Sequence, residues 1–369
     1  MKKHLIASAA AFALIGIAGA QAQEKVVNVY NWSDYIDPAI LEDFTKETGI
    51  KVKYDVFDSN ELLETKLLAG KTGYDVVVPS GNFLGRQIQT GVFTPLDKSK
   101  LPNLKYMWPV VTDILAKYDP GNKYSVNYMW GTTGIGYNVA KIKELVPDAP
   151  LDSWKLALDP AFVLKLKGCG VMMLDAPDEI VPAVMNYLGI DPDSKKIEDL
   201  KKAAEYFKQI RPAIRKFHSS EYINALANGD VCMVIGWSGD IKQAATRAEE
   251  KNKTVKDPKK KIEIGYIIPK EGAYMFFDNF VIPKDAKNVE EAYTFINYMM
   301  QPEVIAKASN FVSYPSGNLE AQKFVDKAIL DDKSIYPSEE TMKKLYVITP
   351  FDQKSQRELT SVWREMKKK

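Results

Sequence analysis

The fold class follows from the stretch 27-VNVYNWSDYIDPAILEDFTKETGIKVKYDV-56. Its first six residues, Val27–Trp32, predict a strand. Residues Pro38–Thr48 carry apolar side chains at helical spacing, and Gly49 ends the helix that this spacing predicts. Residues 52–56 then alternate apolar and charged or polar side chains, as in a second strand. A strand, a helix and a strand in this order predict a parallel β-α-β unit with a right-handed crossover.

The same alternation of strands and helices continues along the chain. Further strands are predicted at 75–79, 170–174, 231–236, 262–268 and 276–283, and further helices at 60–69, 84–90, around 200–207, at 290–300 and over much of the C-terminal stretch. The Gly- and Thr-rich stretch Gly131–Gly136 is a candidate for a strand that crosses between two halves of the protein. We therefore predict an α/β protein of two lobes, built on parallel, doubly wound sheets.

The first residues have the pattern of an export signal. Two lysines near the start precede the apolar, acid-free run Leu5–Ala20, and Ala20-Gln21-Ala22 is a small-x-small cleavage signal. We expect residues 1–22 to be removed as a signal peptide, which leaves a mature chain that begins near Gln23. The alternative is a transmembrane anchor, but the Ala- and Gly-rich core is short for a span of about 20 strongly apolar residues. The expected location is therefore the periplasm.

The balance of charge argues against nucleic-acid and membrane-surface partners. The whole chain has 50 basic and 48 acidic residues, and the signal peptide removes two lysines, so 48 residues of each sign remain. Binding to nucleic acid or to an anionic membrane needs a basic excess. The lysine-rich runs 256-KDPKKK-261 and 366-MKKK-369 are interpreted as a solvated loop and a solvated tail.

Cysteine and histidine are scarce in this sequence. Cys169 and Cys232 are its two cysteines, and an even pair in an exported protein suggests one disulfide, with two buried free thiols as the alternative. A zinc site needs more ligands than these. His218 is the one histidine of the mature chain, so a nucleophilic triad or a histidine metal site is hard to build. We predict no metal, no cofactor and no catalytic residue.

Acidic and aromatic residues recur where the predicted strands meet the loops. In an open parallel sheet, ligands bind beyond the carboxyl ends of the strands. Five segments occupy such positions, of which four hold an acid and three place it beside an aromatic ring. The segments are 32-WSDY-35, 79-PSGN-82, 175-DAPDE-179, 237-WSGD-240 and 276-FFD-278.

This combination suits a ligand that is cationic and has an apolar body. An ammonium group over a ring face gains about 0.5–2 kcal/mol, and its hydrogen bond to a carboxylate adds about 1.5–3 kcal/mol. Each buried methylene contributes about 0.8 kcal/mol. A linear diamine offers both chemistries at once, so the segments together favour a diamine site.

Each segment taken singly has a plainer explanation. The stretch 32-WSDY-35 is compatible with a turn that holds core aromatics, and Glu179 with a first-turn acid favoured by the helix dipole. Asp240 and Ser80 are compatible with helix caps, and Phe276 with an ordinary strand residue. The cation site therefore depends on the joint arrangement and not on any one motif.

The chain also resembles the periplasmic polyamine-binding proteins of bacterial ABC importers, and within them the putrescine-binding type. The resemblance covers nearly all of the mature chain. It rests on 29-VYNWSDYI-36, 74-YDVVVPSGNFL-84, 174-LDAPDEI-180, 234-VIGWSGD-240, 272-GAYMFFDNFVIP-283 and 311-FVSYPSGN-318.

The resemblance implies a class II periplasmic binding-protein fold, in which two lobes close by hinge bending on a ligand. By that likeness lobe 1 spans 26–132 and 277–322, and lobe 2 spans 133–276 and 323–369. It also implies that Cys169 and Cys232 form the family's disulfide. The expected aromatic box around the methylenes is Trp32, Tyr35, Trp237, Phe276 and Tyr314. The expected polar contacts are Ser33, Asp34 and Ser80. The acids expected to take the ammonium groups are Glu179, Asp240 and Asp278.

Putrescine is the ligand that the resemblance favours. Spermidine-preferring relatives tend to carry a larger indole where Phe276 stands and bulkier neighbours at Ser33 and Asp34. Asn82 departs from the smaller residue expected beside Ser80, so agmatine, cadaverine and some spermidine binding stay open. The expected partners are putrescine or a related polyamine and an inner-membrane ABC permease, with no nucleic acid, and the expected state is a monomer.

Three rival functions use the same residues. A receptor of this fold for a sugar does not need several acids, and one for sulfate or phosphate would not tolerate them. A secreted glycoside hydrolase would use two of the acids at a defined separation. A polyamine sensor would use the same cleft with a signalling receptor as partner.

Overall fold

The computed structural model describes residues 24–368, and the predicted signal peptide, residues 1–22, lies outside this range. Within the described range, nine strands form one mixed sheet in the order β2-β1-β3-β9-β4-β7-β5-β6, and β8 pairs with β4. The strands are β1 (Val26–Trp32), β2 (Lys51–Phe57), β3 (Val76–Val77), β4 (Ser125–Asn138), β5 (Val171–Met173), β6 (Ile214–Phe217), β7 (Met233–Trp237), β8 (Ile264–Ile267) and β9 (Met275–Val281).

Helices connect the strands of this sheet along the chain. They are α1 (Pro38–Thr48), α2 (Asn60–Ala69), α3 (Gly81–Thr90), α4 (Pro109–Leu115), α5 (Val139–Leu145), α6 (Lys155–Leu158), α7 (Pro160–Val163), α8 (Pro177–Tyr187), α9 (Ile197–Phe207), α10 (Tyr222–Asn228), α11 (Ser238–Asn252), α12 (Val289–Met299), α13 (Pro302–Val312), α14 (Lys327–Leu330), α15 (Glu339–Met342) and α16 (Gln353–Lys367).

The opening β-α-β unit has the predicted bounds to within one residue at each end. Asp37 caps α1 by accepting a hydrogen bond from the Ala39 amide at 2.9 Å, and Pro38 occupies the first turn, where no backbone donor is needed. Gly49 ends the helix in the left-handed region, at φ 71°. Strand β1 lies parallel between β2 and β3, as predicted.

The predicted parallel arrangement of strands holds on both sides of the sheet but not at its centre. Strands β5, β6 and β7 are parallel to one another, but β9 runs antiparallel to β3, and β4 runs antiparallel to both β9 and β7. The cause is β4, a strand of 14 residues that passes from one half of the sheet to the other. Its Gly131–Gly136 segment is the crossing strand that the sequence suggested.

Two lobes are built on the two halves of this sheet. In the first lobe, α1 and α2 pack on β2, α3 on β9, and α12 on β1. In the second lobe, α10 and α11 pack on β7, and α16 packs on α8 and α9. Strand β4 changes partner between Thr132, which pairs with Met275 of β9, and Thr133, which pairs with Trp237 of β7. We propose that the lobes meet at the predicted boundaries, 132/133 and 276/277. The change of partner along β4 supports this proposal.

One disulfide closes a loop within the second lobe. Cys169 and Cys232 are bonded across a sequence separation of 63 residues, with their Cα atoms 5.6 Å apart. The bond joins the residues just before β5 to those just before β7, which are neighbouring strands. The predicted disulfide is confirmed. Among the described residues, no helix has the length and apolar character that crossing a membrane requires.

Candidate ligand-binding cavity

A cavity lies between the lobes, where the carboxyl ends of the parallel strands meet. The space between its walls, together with the solvent at its open side, amounts to about 330 Å³. Ten of the eleven predicted site residues line it: Trp32, Ser33, Tyr35, Ser80, Glu179, Trp237, Asp240, Phe276, Asp278 and Tyr314. Strand β9 begins at this edge because it runs antiparallel to β3, which brings Asp278 into a bridge with Ser80.

Asp278 is held by two hydroxyl groups from the first lobe. The Tyr35 hydroxyl donates to its Oδ2 at 2.7 Å, and the Ser80 hydroxyl donates to its Oδ1 at 2.6 Å. Asn60 positions Ser80 in turn, by accepting from the Ser80 amide and donating to its hydroxyl, both at 3.1 Å. The carboxyl group is thus fixed at the cavity wall with both oxygens hydrogen-bonded.

Asp240 accepts hydrogen bonds from tyrosine hydroxyl groups of both lobes. The Tyr222 hydroxyl of α10 donates to Oδ2 at 2.8 Å. The Tyr314 hydroxyl, from the segment after α13, donates to Oδ1 at 2.8 Å and accepts from the Asp240 amide at 3.1 Å. Asp240 lies in the first turn of α11, where the exposed amides and the helix dipole favour a carboxylate. One acid of the cavity therefore links the second lobe to the first.

Glu179 is the third buried acid of the cavity and lies in the first turn of α8. The Trp237 indole donates to both of its carboxyl oxygens at 3.0 Å. The Thr133 hydroxyl of β4 donates to Oε2 as well. An aromatic wall residue therefore also orients an acid.

Burial disfavours the charged forms of all three acids. It raises the pKa of Asp240 and that of Asp278 to about 7, against the hydroxyl hydrogen bonds that act in the other direction. Burial, followed by the nearby charge of Asp178, raises the pKa of Glu179 to about 8. No Lys or Arg is among the ten lining residues, so no cation of the cavity wall balances these acids. The cavity is therefore arranged to receive positive charge from a ligand.

Five aromatic side chains form a continuous wall around the same space. Ring centroids are separated by 5.4 Å between Trp32 and Trp237 and by 6.4 Å between Trp237 and Phe276. They are separated by 6.1 Å between Phe276 and Tyr314 and by 5.0 Å between Tyr314 and Tyr35. Trp32 and Trp237 meet across the cleft, so the lobes are closed in this structure. Such a wall offers apolar contact to methylene groups and ring faces to cations.

Two glycines allow these rings to pack so closely. A Cβ atom on Gly239 would lie 2.3 Å from the Tyr314 ring. A Cβ atom on Gly131 would lie 2.7 Å from Phe276 and 3.0 Å from Tyr314. The distances of 2.3 and 2.7 Å are shorter than non-bonded carbon atoms adopt, so a larger residue at either position would displace the wall.

Asp34 is the one predicted site residue that does not line the cavity. Its carboxylate forms an ion pair with Arg247 of α11, at 2.5 Å between Oδ1 and Nη2. Its backbone carbonyl accepts from the Gln243 side chain at 3.1 Å, and its own backbone is left-handed, with φ 54°. This conformation turns the side chain away from the cavity and toward the second lobe at the outer side of the cleft.

Sequence reasoning missed the residues that hold the acids in place. Asn60, Thr133 and Tyr222 fix Ser80, Glu179 and Asp240 respectively through side-chain hydrogen bonds. Thr133 lies in the Gly- and Thr-rich stretch that the sequence analysis singled out, so its composition was a usable signal. Asn60 and Tyr222 begin ordinary helices, and nothing in their local pattern marks them.

Within residues 24–368, the structure holds no cluster of three or more His, Cys, Asp or Glu side chains suited to a metal ion. Three acids, each oriented by hydroxyl or indole donors, surround a slot with aromatic walls.

Comparison with known proteins identifies a set of relatives. Residues 39–335 match the family model described as bacterial extracellular solute-binding protein. The chain is 53% identical over 366 residues to the putrescine-binding periplasmic protein SpuD of Pseudomonas aeruginosa, covering 99% of this chain and 98% of that protein. It is 49% identical to the putrescine-binding periplasmic protein PotF of Escherichia coli, covering 97% and 96%. A solved structure of the spermidine/putrescine ABC transporter substrate-binding protein PotD from Streptococcus pneumoniae superposes with a TM-score of 0.73 at 32% identity, covering 93% of this chain and 100% of that one.

Proposed function

The chain belongs to the family of bacterial extracellular solute-binding proteins, and on that basis we propose that it captures putrescine or a closely related polyamine and delivers it to an ABC importer. The predicted resemblance is confirmed by the relatives. Because those relatives are binding proteins of transport systems, the prediction of a protein without catalysis is also confirmed. Because these relatives are periplasmic proteins, the predicted location in the periplasm is confirmed. The proposed partner is an inner-membrane ABC permease.

The observation that carries this proposal is the set of three buried acids inside an aromatic wall. A linear diamine places an ammonium group at each end of a short apolar chain. In the closed cavity without ligand, burial raises the pKa values of Glu179, Asp240 and Asp278 and so favours their protonated forms. The ammonium groups of a diamine take the place of these protons. Its methylenes fill the space between the rings, at about 0.8 kcal/mol for each one buried.

The ligand-binding role is proposed for the ten lining residues. Trp32, Tyr35, Trp237, Phe276 and Tyr314 surround the methylenes, and Glu179, Asp240 and Asp278 take the ammonium groups. Ser33 and Ser80 supply polar contacts. Asp34 acts on closure through its ion pair with Arg247, so we no longer assign it a direct ligand contact.

Substitution of the acids tests this function directly. Asp240→Asn and Asp278→Asn keep the shape of the side chain but remove the charge that a ligand ammonium requires. We expect each variant to bind putrescine on the order of a hundredfold more weakly, because charged hydrogen bonds are lost inside a desolvated site. Isothermal titration calorimetry of putrescine, cadaverine, agmatine and spermidine measures the loss and ranks the ligands.

Glu249→Gln is the matched control for these variants. Glu249 lies on the same helix as Asp240, but its side chain is exposed. This substitution removes one negative charge from α11 without changing the cavity, so the affinity for putrescine should stay at the native value. Native affinity in Asp240→Asn and Asp278→Asn, or an equal loss in Glu249→Gln, would contradict the assigned roles.

A further inference from the structure

A buried hydrogen bond joins the lobes outside the cavity. The Asn82 side chain of α3, in the first lobe, donates to Asp178 Oδ2 of α8, in the second lobe, at 2.6 Å. Both residues are almost fully buried, with 4% and 5% of their surface exposed. Neither lines the cavity. A buried polar contact between two bodies that open and close is made only when they are closed.

Each partner of this bond is tied to a cavity residue through its own helix. Asn82 lies in the first turn of α3, two residues after Ser80, which is the N-cap of that helix. Asp178 directly precedes Glu179 in the first turn of α8. A displacement of either helix would therefore move a group that faces the ligand. The bond fixes the spacing of Ser80 and Glu179 across the cleft.

The surroundings of Asp178 make the Asn82 donor important. Burial raises the pKa of the Asp178 carboxyl, and the Asn82 side chain and the Arg86 charge act in the opposite direction. The carboxyl group of Glu61 of α2 lies nearby, and the charge of Asp178 adds to the burial that raises the pKa of Glu61 to about 8. An acid in such a place is costly to bury unless it keeps its donor.

Arg86 provides a second contact between the same two surfaces. Its guanidinium is held on the first lobe by Glu64, at 2.6 Å from Nε and 2.5 Å from Nη2. From there its Nη1 donates across to Gln356 Oε1 of α16, at 2.5 Å. The paired geometry fixes the guanidinium, so it is ready to meet the second lobe when the lobes close.

We propose that Asn82–Asp178, supported by Arg86–Gln356, is an interlobe latch that holds the closed state and slows ligand release. The inference rests on the proposed function, because it takes the ligand to be captured by closure. Asn82 is a positioning residue in this account, since it acts on Ser80 and Glu179 and not on the ligand.

The latch predicts an effect on dissociation more than on association. In Asn82→Ala the closed state buries an acid without its donor, so putrescine should dissociate on the order of tenfold faster. The association rate should change by less than about threefold, because the open cavity keeps all its ligand contacts. The double variant Asn82→Ala/Asp178→Ala should release putrescine more slowly than Asn82→Ala alone, because removal of both partners leaves no buried orphan.

Stopped-flow kinetics with putrescine test this prediction, and Gln89→Ala is the control, since Gln89 is an exposed residue of α3. Melting of the unliganded variants shows whether a change comes from lost folding. A native dissociation rate in Asn82→Ala, or a double variant that releases ligand faster than the single one, would overturn the latch. Failure of the native protein to bind any polyamine would instead overturn the proposed function, so the two failures are distinguishable.

Discussion

Glu179, Asp240 and Asp278 each combine burial with donors that do not carry a full positive charge. Tyrosine, serine, threonine and tryptophan groups orient these acids but cannot balance their charge. In the closed cavity without ligand, burial therefore favours protons on these acids near neutral pH, and a dication takes their place. We expect the binding of a diamine to be coupled to proton release.

Putrescine affinity should consequently depend on pH in a defined direction. The pKa values of about 7 for Asp240 and Asp278 and about 8 for Glu179 are raised above those of free carboxylic acids. As the pH falls through these values the acids become protonated, and the ligand's charge loses its partners. Affinity should fall by about tenfold or more between pH 8 and pH 6.

Calorimetry in buffers of different ionisation enthalpy measures this coupling. Proton release to the buffer should accompany binding near pH 7, and it should diminish by pH 9, where the acids are already ionised in the empty protein. Asp278→Asn should release fewer protons than the native protein. Affinity that is flat from pH 6 to pH 9, with no proton release, would show that the acids are ionised before the ligand arrives.

The residue types of the site were predictable from sequence, but their partners were not. Acids and rings recur at strand ends, and the parallel topology brings strand ends together, so ten of eleven candidates meet in one cavity. The position of Asp34 could not be inferred, because its left-handed backbone turns the side chain toward Arg247, 213 residues further along the chain. The spacing of residues along a chain predicts on which face of a helix or strand a side chain lies. It does not predict which residue of a distant helix that side chain will contact.

Among the helices and strands, periodicity and capping residues predicted the bounds of α1 and β1 well. The length of β3 and the direction of the central strands were less predictable. The strand predicted at 75–79 is reduced to Val76–Val77, and the Asp75 side chain just before it accepts hydrogen bonds from the backbone amides of Asn28 and Asn288. The helix predicted at 84–90 begins earlier, at Gly81, directly after the Ser80 cap. The antiparallel course of β4 and β9 follows from long-range crossing, which local patterns do not encode.

The contact between the loop after β1 and α11 gives a second prediction. Asp34 and Arg247 are each about one third exposed, with side-chain values of 36% and 33%, so their ion pair is worth only about 0.5–1 kcal/mol. Asp34→Asn should weaken putrescine binding by roughly two- to fivefold, and high salt should reduce the difference.

Ligand discrimination distinguishes a closure contact from a ligand contact. Because Asp34 lies outside the cavity, Asp34→Asn should keep the native ratio of affinities for putrescine and n-butylamine. Calorimetric titration of both ligands into this variant and into the native protein gives the two ratios. If Asp34→Asn binds putrescine and n-butylamine with more similar affinities than the native protein does, Asp34 contacts the ligand directly.

At the scale of the whole molecule, groups from both lobes must reach one ligand, so binding should favour the closed arrangement. Tyr314 and Asp240 already meet across the cleft, as do Trp32 and Trp237. Small-angle X-ray scattering should give a smaller radius of gyration with saturating putrescine than without it. An equal radius in the two samples would indicate a preformed pocket that needs no closure.

We propose that the cavity recognises two positive charges on one short chain. Titration of the native protein with putrescine and with n-butylamine tests this proposal, since the two ligands share four carbons and differ by one ammonium group. Above pH 8, where the acids are ionised before the ligand binds, loss of that group leaves a buried acid unpaired, at a cost of about 3–5 kcal/mol, so putrescine should bind more than about a hundredfold more tightly. Affinities within about tenfold of each other, or about 1.4 kcal/mol, would contradict the claim and favour a ligand with a single charge or none.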